Sequence, residues 1–197
     1  MVNNMDCTYP IWSKNSIASE SRCNHLEGSQ TGKVAVIGIG NPLRKEDILG
    51  PYLVTLIMQR TGDKVCCINL ESHLSHLVPV IERHEVAIIV DAVDNLESKE
   101  SLLLEIDDNV RKKTSDLIEC SHGISWIDEL RWSELQEKKV FLFGVSSKLT
   151  DCVDSNDRER VARIEEQINR LLGFICLLND EEATTHCLEE SLGFKYA

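Results

Sequence analysis

Asp47, Asp91 and His122 are the residues of this chain whose types and placement best suit chemistry. Asp47 closes "GNPLRKED", which follows the apolar run "VAVIGI" and leads into the helical pattern "ILGPYLVTLIMQR". Asp91 follows "VAIIV", and His122 stands in "ECSHGIS" between two further apolar runs. Two carboxylates and one imidazole make a credible ligand set for a divalent metal, with positions left open for water or substrate. The turn after the first run is thus built to meet a cation, and its glycines let something approach the backbone closely.

Other chemistries fit the residues less well. Gly38 and Gly40 give a partial dinucleotide fingerprint, with Glu71 as a possible ribose ligand, but the third glycine position holds Leu43. Glu46 and Asp47 at the helix entry would also repel a pyrophosphate. Asp47 as a plain helix-entry carboxylate is favourable to the dipole. That explanation leaves the second carboxylate and the histidine unaccounted for. His73 and His76 lack a third nearby ligand or an HExxH pattern. Cys120 stands two residues from His122 without an activating motif around it.

The elements that position these residues alternate in type. Apolar runs "VAVIGI", "VCCINL", "VAIIVDAV", "SLLLEI" and "VFLFGV" read as five strands. Between them, Leu49, Leu53, Leu56 and Ile57 recur at helical spacing; so do Leu74, Leu77, Val78 and Ile81, and then Ile124, Ile127 and Leu130. Val161, Ile164, Ile168 and Leu171 make a last helix, which the tail after Gly173 extends before fraying. Strands apolar throughout, interleaved with helices, imply an α/β fold: three layers, with a twisted, mainly parallel five-stranded sheet and helices on both faces. In such sheets ligands lie beyond the carboxyl ends of the strands, where Asp47, Asp91 (read as a strand tip) and His122 can converge.

The 197 residues fit one domain able to bury a core. Residues 1–32, rich in Ser and Asn, read as a flexible extension, 33–175 as the α/β domain and 176–197 as a tail. A net charge of −12 argues against nucleic acid or an anionic membrane as partner. No run approaches the roughly 18 apolar residues of a membrane span. No convincing signal peptide opens the chain, so a cytoplasmic protein is expected. The eight cysteines form no CxxC pair and read as buried free thiols.

In order along the chain, "VAVIGIGNPLRKEDILGP", "VAIIVDAVD", "CSHGIS" and "VFLFGV" resemble the motifs of the hydrogenase maturation endopeptidases. That family removes a C-terminal peptide from the large subunit of nickel–iron hydrogenases. The resemblance spans about residues 33–175. It implies metal contacts at Asp47, Asp91 and His122, which would also be the catalytic set, and a substrate-framing Gly-Asn turn at Gly40 and Asn41. It implies no stored cofactor, the nickel being carried by the substrate, and a partner in the large-subunit precursor. The chain departs from the family in reading Glu46-Asp47-Ile48 where Asp-Asp-Gly is common, and Ser72-His73 where a small Gly-Thr stretch is usual. The bound nickel could polarise the carbonyl or activate a water with Asp47 or Asp91 as base, or serve only to dock the bond. A non-catalytic nickel-recognising assembly factor for the same subunit would use the same three residues.

Overall fold

The structure, a computed structural model, describes residues 33–94, 96, 100–107, 126–131, 135, 137–153 and 155–179. Strands β1 (Val34–Ile39), β2 (Cys66–Glu71), β3 (Val86–Val93), β4 (Ser101–Glu105) and β5 (Lys139–Ser146) form one sheet in the order β2-β1-β3-β5-β4. The pairs β2–β1, β1–β3 and β3–β5 are parallel, and β4 closes one edge antiparallel to β5. Every residue of β1 and β3 is buried, as parallel strands covered on both sides must be.

The covering helices are α1 (Leu49–Thr61), α2 (Leu77–Glu82), α3 (Trp126–Arg131) and α4 (Arg158–Asn179). The pleat sends alternate residues to opposite faces. Val34, Val36, Ile88, Val90 and Phe143 meet Leu53 and Ile57 of α1 and Ile168 and Leu171 of α4. Phe141 and Phe174 join strand to helix edge-on, with centroids 5.1 Å apart. On the other face Ala35, Ile37, Ile39, Ala87 and Ile89 meet Leu77 and Ile81 of α2 and Trp126, Ile127 and Leu130 of α3. The expected three layers are therefore present.

Prolines set two helix starts. Pro51 and Pro79 each occupy the third position of their helix, α1 and α2. There the missing N–H would have had no intrahelical acceptor in any case. The periodic stretch from Leu74 consequently does not form one helix: a 3₁₀ turn over Leu74–His76 hands over to α2 at Leu77. The last helix continues past Gly173 as expected. It runs from Arg158 to Asn179 because Phe174, Ile175 and Leu178 prolong the buried stripe. That packing outweighs the roughly 1 kcal/mol that a helical glycine costs.

Among the described cysteines, Cys67 and Cys152 are buried, Cys66 is half-buried and Cys176 is exposed. The last corrects the expectation of burial: Cys176 falls on the solvent side of α4, between buried Ile175 and Leu178.

Candidate functional site

Helix α1, between β1 and β2, covers one face of the sheet, whereas α2, between β2 and β3, covers the other. The strand order therefore reverses between β1 and β3, and such a switch point leaves a crevice at the carboxyl ends of the two strands. The β1–α1 loop and the end of β3 border it. These segments carry Asp47 and Asp91.

The loop is built by its own side chains. Gly40 has φ +139°, and a Cβ there would stand 2.1 Å from the Asp47 carbonyl oxygen, so only glycine fits. Its N–H donates to the Glu71 carbonyl of β2. Pro42 occupies the second position of a turn closed by the Arg44 N–H donating to the Asn41 carbonyl at 2.9 Å. The Leu43 N–H donates to Asn41 Oδ1 at 2.9 Å, the local bond for which Asn suits turns. Asn41 N–H in turn donates to Asp47 Oδ2 at 2.9 Å. Asp47, 3% exposed, ends a 3₁₀ turn over Lys45–Asp47 that rests against β3.

Asp91 is fully buried and sits within β3, opposite Gly144 of β5. It is not at the strand tip, because the pairing of β3 with β5 continues to Val93 and Ser146. With Gly38 opposite Val90, Asp91 lies level with the end of β1. Its Oδ1 accepts from the Ala92 N–H at 2.8 Å, and its Oδ2 from the Trp126 indole at 2.9 Å. Both aspartates are thus held at one sheet edge. His122 lies outside the described residues, and among the described residues no three His, Cys, Asp or Glu side chains form a metal-sized group.

Close seating of α1 holds the aspartates in place. A Cβ on Gly50 would fall 2.1 Å from the Ile39 carbonyl oxygen and 2.5 Å from that of Val90, the ends of β1 and β3. A second brace is the 3₁₀ turn Ser147–Cys152 after β5. Its Asp151 accepts from Lys45 Nζ at 2.6 Å, and its Ser147 hydroxyl donates to the Asp94 carboxylate just past β3. The Lys45 ammonium holds the Asp151 carboxyl below its ordinary range. Burial pushes the neighbouring Cys152 thiol up, which keeps it protonated and a poor nucleophile.

Sequence reading missed Trp126 as the partner of Asp91, and Lys45, Asp94, Ser147 and Asp151 as braces. Long-range pairings of this kind leave no spacing pattern. A tryptophan in an apolar helix whose N–H must find an acceptor was the one available signal.

Sheet order and helix placement give the chain an α/β fold that it shares with solved hydrogenase maturation proteases. The structure is similar to the [NiFe] hydrogenase maturation protease HybD from Thermococcus kodakarensis: TM-score 0.54 at 15% identity, over 72% of this chain and 98% of that one. It is similar as well to the hydrogenase maturating endopeptidase HybD from E. coli, with TM-score 0.51, 19% identity and coverage of 73% and 92%. A solution structure of an endopeptidase from Escherichia coli matches with TM-score 0.52 and 20% identity over 72% and 90%. No protein-family model and no curated protein sequence matches the chain. Among the described residues no helix is long and apolar enough to cross a membrane.

Proposed function

We propose that this protein is a metal-guided endopeptidase that removes the C-terminal peptide from the nickel-loaded large-subunit precursor of a nickel–iron hydrogenase. The observation that carries the reading is the pair of buried carboxylates at a switch point: Asp47 in the turn after β1, and Asp91 within the adjacent parallel strand β3, level with the end of β1. The fold, shared with structures named as hydrogenase maturation proteases, supports it.

In this reading the nickel ion arrives inside the precursor and marks it as ready to be cut; the chain stores no cofactor. Asp47, Asp91 and His122 meet the ion, two carboxylates and an imidazole matching the donor set a divalent cation takes. The Gly40–Asn41 turn frames the substrate backbone. Two carboxylates at one buried edge favour a cation over any anion, and the substrate supplies it. Nickel held there supplies Lewis acidity at the scissile bond. Asp47 and Asp91 orient the ion, and one of them accepts the proton of the attacking water. The net charge of −12 fits work without nucleic-acid or anionic-membrane partners, and the proposed place of action is the cytoplasm.

The test is the mass of nickel-loaded precursor after incubation with wild-type protein and with Asp47→Asn and Asp91→Asn. Each variant keeps side-chain size and removes a charge. Cleavage by wild type with loss in both folded variants is expected. A folded Asp91→Asn protein that cuts normally would defeat the metal-guided reading. Wild-type binding without cutting would point to a nickel-recognising assembly factor instead.

A further inference from the structure

Trp126 opens α3, is fully buried, and spends its one polar group on Asp91. An indole N–H can only donate, so its 2.9 Å bond to Oδ2 has a single direction. With the Ala92 N–H on Oδ1 at 2.8 Å and the indole on Oδ2, each carboxylate oxygen accepts from a fixed donor, which sets the carboxylate plane. A leucine or phenylalanine at position 126 would keep an apolar side chain in the cluster that holds Ile37 and Ile89 but would offer Asp91 no donor. The N–H is therefore the part of this side chain that bears on the site. Trp126 also follows His122 by four residues, so the bond ties the start of α3, next in sequence to the histidine segment, to β3.

We propose that Trp126 is a positioning residue, its indole N–H orienting the Asp91 carboxylate toward the substrate's metal. This rests on the reading that Asp91 meets the nickel-loaded precursor. Donors behind a metal-contacting group typically change affinity or activity 10- to 100-fold when removed.

The test uses the full chain with Trp12→Phe and Trp132→Phe, which leaves Trp126 as the sole indole. Trp126 is then replaced by phenylalanine or by 3-benzothienylalanine, an isostere carrying sulfur in place of N–H. The isostere should keep a single cooperative melting transition, with the midpoint lowered by the lost bond to a buried carboxylate, and lower kcat/KM for nickel-loaded precursor roughly 10- to 100-fold. In an Asp91→Asn background the same replacement should change precursor affinity no further, because the effect runs through Asp91. A second readout is independent of activity. The Trp126 Nε1–H proton resonance should exchange slowly with D2O and move upfield when Asp91→Asn removes the acceptor's charge. Undiminished kcat/KM with the isostere, or an indole resonance indifferent to Asp91→Asn, overturns the proposal. Failure of the wild-type chain to cut the precursor instead overturns the functional reading, and the positioning role with it.

Discussion

Replacing Gly50 by alanine should lift α1 off the sheet edge. On helix propensity alone the change gains about 1 kcal/mol. Against it, the new Cβ would stand 2.1 Å from the Ile39 carbonyl oxygen and 2.5 Å from that of Val90. Both neighbours are backbone atoms of buried parallel strands and cannot swing aside as a side chain could. Overpacking of this kind costs about 1–3 kcal/mol, and rigid partners on two strands put it at the upper end. The net loss is then about 2 kcal/mol, or a fall in Tm of roughly 4–8 °C at this chain length. Calorimetry of wild type and Gly50→Ala reads it. Gly62→Ala is the control. Its Cβ meets nothing within 4 Å, so its cost is confined to the backbone strain of φ +57° and ψ −135°, about 1–3 kcal/mol. Because α1 follows directly on the 3₁₀ turn that ends at Asp47, displacement should also lower cleavage in Gly50→Ala more than in Gly62→Ala. A Gly50→Ala protein as stable as wild type would refute the close seating of α1 on β1 and β3.

Two further outcomes are expected. In native protein at neutral pH, iodoacetamide should label exposed Cys176 and spare Cys152, whose raised pKa leaves less thiolate than an ordinary thiol; peptide mass spectrometry reads both, and raising the pH toward the alkaline range should bring in Cys152 last. Deleting Met1 to Thr31 should leave a single cooperative melting transition, since that stretch shows no apolar periodicity; loss of the transition would mean that it packs with the domain.

The strands were legible because each is a short apolar run bounded by turn residues, and β1 and β3 match their runs residue for residue. The position of Asp91 was less so. A charged residue after "VAIIV" looks like a strand end, yet Trp126 satisfies the carboxylate and lets β3 continue to Val93. The start of the second helix failed where one residue outweighed the period: Pro79 delayed α2. The extension of α4 past Gly173 was legible, because Phe174 and Leu178 continue its apolar stripe. Asp47 and Asp91 could be chosen as candidates from type and place alone. The bonds that hold them, from Asn41 and Trp126, join residues across a turn and across the fold, where spacing carries no signal.

The central claim is that the substrate's nickel licenses cleavage. Nickel-loaded and nickel-free large-subunit precursor, each incubated with the purified protein, should differ in mass afterwards. Loss of the C-terminal peptide from the loaded form alone is the predicted result. Equal cleavage of both forms, or of neither, would contradict it.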